Sequence, residues 1–237
     1  MPDSYLMSRR AQHTKPFQWM IVAGVAALLA LAALLMSEPG SMDMRMTAIE
    51  KYFVNRPGHT RAVAQHAARL LEHVGIQPGW RYLDVGCGVG AAARHIAQTR
   101  PLDVTGIDVD PQQIQAARAG PVRPNVRFLT MDATRLEFGD ASFDVVATSM
   151  TTHHIPQWQR AFREMARVLR PGGYLIYGDL VAPSWMAAAG ARLIPFAGFP
   201  SPNALDSLAA ENGLVEVYRY RSVAKIEVVW RKAGQQK

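Results

Sequence analysis

Arg81-Tyr-Leu-Asp-Val-Gly-Cys-Gly-Val-Gly90 is an apolar run that delivers Asp84 directly into a loop with glycine at 86, 88 and 90. A short apolar run bounded by glycines reads as a buried strand, and Ala91 to Gln98 reads as the helix that follows it. Removing Cβ at alternate positions lets the backbone take otherwise strained angles and lets a ligand approach closely, while the helix aims free N–H groups at the loop. The spacing is G-x-G-x-G followed by Ala91, which departs from the G-x-G-x-x-G dinucleotide fingerprint. Asp108 nevertheless lies where a ribose-binding acid is expected. The loop predicts a nucleotide-like cofactor at the carboxyl edge of a strand and leaves its identity to the rest of the chain.

Outward from the loop, strand-like and helix-like segments alternate: Val104 to Ile107, Pro111 to Ala119, Val126 to Leu129, Phe143 to Ala147. This alternation predicts an α/β fold with a doubly wound parallel sheet. Pro156 opens a helix to about Arg170, which Pro171-Gly-Gly173 breaks before a strand at Tyr174–Tyr177. Pro202 to Asn212 predicts a helix ended by Gly213, and Leu214 to Tyr220 and Ile226 to Trp230 are the last strands. Before the loop, Met42 to Gly75 reads as helical.

Two further acids stand at strand ends. Asp108 closes Gly106-Ile-Asp108, where a carboxylate can accept hydrogen bonds from two ribose hydroxyls, while Asp110 before Pro111 is placed to cap the next helix. Asp132, in Met131-Asp132-Ala133, follows the third strand, where it can accept from an exocyclic amine or serve as a turn residue. At this point the chain resembles the class I S-adenosylmethionine-dependent methyltransferases of the type found in quinone and lipid biosynthesis. The resemblance runs from about Gly79 to Trp230. It rests on Leu83-Asp-Val-Gly-Cys-Gly-Val-Gly90, Gly106-Ile-Asp108, Met131-Asp132-Ala133, Phe143-Asp-Val-Val146 with Ser149 to Ile155, and Glu164-Met-Ala-Arg-Val-Leu-Arg-Pro-Gly-Gly173. It implies a seven-stranded Rossmann-like sheet with an antiparallel last strand, and S-adenosylmethionine as cofactor. Gly86, Cys87, Gly88 and Gly90 would approach its methionine part, Asp84 its ammonium group, Asp108 with Val109 its ribose, and Asp132 with Ala133 its adenine. Ser149 would border the same site.

Methyl transfer from a sulfonium depends on in-line positioning, so a catalytic base is optional. His153 and His154, after the fourth strand, are the candidates for one, with loop orientation or capping as the alternative; His59 and His66 are weaker. The chain has Ser149-Met-Thr-Thr-His-His154 where amino-methylating relatives carry an Asn/Asp-Pro-Pro-aromatic motif, which argues against a planar-base acceptor.

The amino end differs in kind. From Trp19 to Met36 there is no charged residue, and the stretch from Phe17 reaches the roughly 20 residues that cross a ~30 Å hydrocarbon core. The reading is a basic tail over 1–16, a transmembrane helix over 17–36, a linker with helices over 37–78 and the catalytic domain over 79–237. A cleaved signal peptide and a buried core helix are the alternatives. The expected localisation is a single-pass membrane protein with its domain on the cytoplasmic side, where the cofactor is made. Leu180 to Pro200 is apolar apart from Arg192, so the expected partner is a small lipophilic acceptor: a quinone precursor, a phenolic or isoprenoid lipid, or a phospholipid headgroup.

The formal charge of +7 is concentrated in Arg219, Arg221, Lys225, Arg231, Lys232 and Lys237. These either face solvent from two strands or bind an anionic surface. Nucleic acid is not the expected partner, and an RNA methyltransferase using this tail is kept as an alternative, as are a catalytically degenerate scaffold and a nicotinamide oxidoreductase. The single cysteine, Cys87, excludes an intrachain disulfide and a cysteine-rich metal site.

Overall fold

The computed structural model describes residues 48–121, 123–181, 200–223 and 225–234. Two helices lead in, α1 (Ala48–Val54) and α2 (Pro57–Leu70). They are separate because a residue before proline avoids the helical region: Arg56 is extended (ψ 142°), and Pro57 starts the next helix where a missing N–H costs nothing. Then come β1 (Arg81–Val85), α3 (Ala91–Thr99), β2 (Asp103–Asp108), α4 (Pro111–Ala119), β3 (Val126–Thr130) and β4 (Phe143–Ser149). The chain continues through α5 (Trp158–Val168), β5 (Leu169–Leu180), α6 (Pro202–Glu211), β6 (Leu214–Arg221) and β7 (Lys225–Lys232).

The strands form one seven-stranded sheet in the order β3-β2-β1-β4-β5-β7-β6. β1 to β5 pair in parallel, and β7 lies antiparallel between β5 and β6. This is the seven-stranded arrangement with an antiparallel last strand that the resemblance implied. The central strands are buried on both faces, as helix-covered parallel strands must be. On one face α5 presents Trp158, Ala161, Phe162 and Met165 to the sheet, and Phe162 packs edge-on against Trp230 of β7. The other face packs Leu70 and Leu71, at the end of α2, with Ala93 and Ile96 of α3 over Tyr82, Val145 and Ile176.

Pro171-Gly-Gly173 does not separate α5 from the strand as predicted. The helix stops at Val168, and the tripeptide is a bulge within β5, between the pairs Phe143↔Leu169 and Val145↔Tyr174, with Gly172 at φ 76°. Capping follows the sequence more closely: Asp110 accepts from the Gln112 N–H at the start of α4.

No helix among the described residues is long and apolar enough to cross a membrane. That overturns the expected single-pass membrane localisation, and the transmembrane part of the expected fold is not supported. Residues 17–36, to which the span was assigned, lie outside the described residues, as does the apolar stretch 182–199.

The first β-to-α turn depends on its third glycine. Gly90 caps α3 from the left-handed region (φ 72°), and a Cβ there would lie 2.5 Å from the Phe128 ring. Gly90→Ala therefore combines a left-handed penalty with overpacking, and chemical denaturation should show a loss of about 2–4 kcal/mol. An unchanged midpoint would mean the loop has another accessible conformation.

Candidate functional site

In the strand order, β1 and β4 are neighbours although their outgoing connections run to opposite sides, which opens a crevice at their carboxyl ends. The glycine loop is pinned there. Gly86 and Cys87 both donate backbone N–H groups to the carbonyl of Ile107 (2.8 and 2.9 Å). Asp108 ties down the rest: its Oδ2 accepts from Gly88 N and its Oδ1 from Asp110 N, each at 2.9 Å. A side chain at Gly86 would overlap Thr151, whereas nothing described lies within 4 Å of where a Gly88 Cβ would stand. The loop is thus packed behind and open in front.

The open cleft, about 640 Å³ with its solvent mouth included, is lined by Gly86, Gly88, Asp108, Val109, Asp132, Ala133 and His154 among the residues singled out from sequence. Ile107, Asp110, Met131, Met150, Thr151 and Ile155 complete it. Asp84, Cys87, Gly90, Ser149 and His153 do not line it. Cys87 faces the apolar layer with Phe128 and Ala93, Gly90 caps α3, and Ser149 ends β4 beside Gly178 of β5.

Asp84 is buried at the end of β1. It accepts from the N–H of Ala93, but its Oδ2 has no hydrogen-bond partner. Burial, with the nearby Asp108 charge adding to it, pushes its pKa up to about 7. Burial likewise raises Asp108, against the donors of Asp110 and Gly88. Two desolvated acids and an orphaned carboxylate oxygen at one helix N-terminus suit a ligand with donors and a positive charge. Asp132 holds the next turn by accepting from Thr134 N (2.7 Å).

The two histidines have different surroundings. His153 is buried, with Nδ1 2.5 Å from Asp179 Oδ1. Asp179 also accepts from the backbone N–H of Thr151, Thr152 and Leu180 and from the Thr152 hydroxyl. Burial opposes its ionisation, but His153 and these donors outweigh it and hold its pKa below the usual carboxylate range. The Asp179 carboxylate therefore organises the segment Met150–His154. His154 faces the cleft; burial and then the neighbouring His153 depress its pKa to about 4, so its imidazole is neutral near pH 7. Asp179 was not picked out from the sequence, although its place at the end of a parallel strand is the signal that could have found it.

Two further contacts brace the cleft. Lys51 of α1 lies 2.5 Å from Asp110 Oδ2 and donates to Gln112 Oε1 (3.0 Å), fastening α1 to the start of α4. Arg167 of α5 spends its guanidinium on Glu164, Asp140 and the carbonyls of Leu136 and Phe138, which binds the β3–β4 connection to the helix.

Residues 83–177 match a protein-family model described as a methyltransferase domain. Together with the sheet order and the cleft, this supports a methyltransferase domain of the class I S-adenosylmethionine-dependent kind over those residues, with S-adenosylmethionine as its cofactor. Among curated proteins, the chain is 38% identical over 119 residues to a sterol 24-C-methyltransferase of Gibberella zeae, covering 48% of this chain and 31% of that protein. It is 40% identical over 113 residues to a phthiotriol/phenolphthiotriol dimycocerosates methyltransferase of Mycobacterium ulcerans, covering 47% and 41%. A 2-methyl-6-phytyl-1,4-hydroquinone methyltransferase of Synechocystis is 39% identical over 105 residues, with 44% and 33% covered. The chain thus spans less than half the length of these relatives. Among solved structures, geranyl diphosphate methyltransferase in complex with S-adenosylmethionine superposes with a TM-score of 0.62 at 16% identity, covering 76% of this chain and 92% of that one. The cyclase SpnF gives 0.64 at 21%, covering 73% and 83%. Because a cyclase shares this fold, the fold by itself does not specify the reaction.

Proposed function

We propose that the chain transfers the methyl group of S-adenosylmethionine to a small lipophilic acceptor. The observation that carries the reading is a single cleft in which the acids Asp108 and Asp132 face Met131, Met150 and Ile155. Asp108 would take the ribose, Asp132 with Ala133 the adenine, and the free oxygen of Asp84 the ammonium group. The bound cofactor supplies a methyl group activated by a sulfonium. The protein's task is then to hold acceptor and donor in line and exclude water. His154, neutral and facing the cleft, can accept a hydrogen bond from the acceptor, and His153 acts through Asp179 by positioning that segment.

The names of the relatives support a lipophilic acceptor, since they specify a sterol, a phytyl hydroquinone and a phthiotriol lipid. The basic carboxyl-terminal residues do not favour RNA. Arg219 pairs with Asp206 and Glu216, Lys225 with Glu227, Lys232 donates to the carbonyls of Ala166 and Leu169, and Arg231 lies over Tyr174.

The test is to incubate the full chain and methyl-labelled S-adenosylmethionine with a lipid extract and, separately, with total RNA. Label should enter the organic phase. Label in RNA alone, or cofactor binding with no transfer to either, would sink the proposal.

A further inference from the structure

The described side chains of α1 add nothing to the buried core, and its Tyr52 and Phe53 are 62% and 56% exposed. A helix of seven residues is too short to hold its shape alone, so its place depends on its contacts. Polar contacts tie it to the start of α4. Lys51 Nζ lies 2.5 Å from Asp110 Oδ2 and donates to Gln112 Oε1, and Asn55, just past the helix, donates from Nδ2 to Gln113 Oε1 at 3.3 Å. Asp110 and Gln113 are both buried, so these contacts reach under the surface and are not a loose outer pairing.

The turn they reach is the one that presents Asp108. Asp108, Val109 and Asp110 all line the cleft. Within the turn, Asp110 N donates to Asp108 Oδ1, Gln112 N donates to Asp110 Oδ1, and Gly88 N donates to Asp108 Oδ2, each at 2.9 Å. A continuous line of contacts therefore runs from Lys51 through Asp110 and Asp108 to the glycine loop. Charge follows the same line. Burial first, and the Asp110 carboxylate as well, hinder ionisation of Asp108, and the Asp108 charge in turn adds to the burial that hinders Asp84. Against this stand the N–H donors of Asp110 and Gly88 and, from α1, the charge of Lys51.

We propose that Lys51 is a positioning residue for the cofactor, acting through Asp110 on Asp108, and that α1 is a strap whose seating is linked to cofactor binding. The inference rests on the methyltransferase reading and adds to it a residue outside the cleft wall, since Lys51 does not line the cleft. Lys51 fixes the backbone that carries Asp108 and Val109, and its charge favours the carboxylate form of Asp108 that accepts from the ribose hydroxyls. Linkage is reciprocal: whatever Lys51 contributes to ligand affinity, the ligand returns to the seating of α1.

The test uses the full chain and S-adenosylhomocysteine. In calorimetric titration at pH 7, Lys51→Met should weaken binding by about tenfold, within the range of ordinary coupling between sites, and Lys51→Arg should recover most of that loss. In an Asp84→Asn background, where Asp84 cannot titrate, Lys51→Met should move the acid limb of the affinity to higher pH, because a carboxylate without its cation ionises less readily. In hydrogen exchange read by mass spectrometry, the ligand should slow exchange of the amides in 48–56 in the unsubstituted chain and not in Lys51→Met. A Lys51→Met chain with unchanged affinity and an unmoved acid limb, even one that melts at lower temperature, shows a structural staple and overturns the proposal. So does exchange in 48–56 that the ligand leaves unaltered in the unsubstituted chain, a measurement that stands whether or not the variant folds. Either result leaves the methyltransferase reading intact, whereas absence of S-adenosylhomocysteine binding by the unsubstituted chain overturns that reading and this proposal with it.

Discussion

Asp108→Ala should lower the affinity for S-adenosylhomocysteine by a factor on the order of 10²–10³ in calorimetric titration. In the proposed site the carboxylate accepts from two ribose hydroxyls, and a hydrogen bond to a charged group is worth about 1.5–3 kcal/mol. The same two oxygens already hold Gly88 N and Asp110 N, so the alanine also releases the loop that a ligand would touch. Asp108→Asn keeps one carbonyl acceptor and should fall between the two. Thermal melting should move much less than the affinity, because removing a desolvated carboxylate offsets part of the lost tethering. An affinity within threefold of the unsubstituted chain would remove Asp108 from the cofactor site.

Asp84→Asn should have opposite effects on stability and on binding. Its pKa is raised from 3.8 to about 7, so between those values the native state keeps a proton that the unfolded state has lost. Stability then falls as pH rises through that window, by up to ~4 kcal/mol at 1.36 kcal/mol per unit. Asparagine cannot ionise, so at pH 8 the ligand-free variant should resist urea better than the unsubstituted chain. If Asp84 holds the ammonium group as proposed, its binding of S-adenosylhomocysteine should be weaker, because the ligand's ammonium loses its charged partner. In the unsubstituted chain that affinity should climb with pH up to about 7 and then level off, and the variant should lack the climb. Superimposable pH profiles would show that Asp84 does not face the ammonium group.

What the sequence made legible was local. Strand and helix alternation, the glycine loop, the Asp110 cap and the stop at Gly213 follow from periods and turn chemistry acting over a few residues. Of the positions singled out from sequence, Gly86, Gly88, Asp108, Val109, Asp132 and Ala133 line one cleft, because they sit directly after strands whose ends the topology gathers at one edge. Pro171-Gly-Gly173 was misread because composition alone does not separate a bulge from a break; the difference is the register with β4. The His153–Asp179 and His66–Glu227 contacts join residues 26 and 161 positions apart, and no periodicity encodes such pairings. The localisation was inferred from hydropathy at one end of the chain and is not upheld by any described helix.

Arg167 has a consequence for the thermodynamics of ligand capture. Its guanidinium ties Leu136, Phe138 and Asp140 to Glu164, and the Leu136 N–H in turn donates to Glu164. The connection that begins at Asp132 and Ala133 is therefore clamped a few residues farther on by contacts within the protein. A binding wall ordered in advance spares the ligand the conformational entropy of ordering it. On that side of the cleft, association can proceed as docking onto a surface that the protein's own contacts already fix.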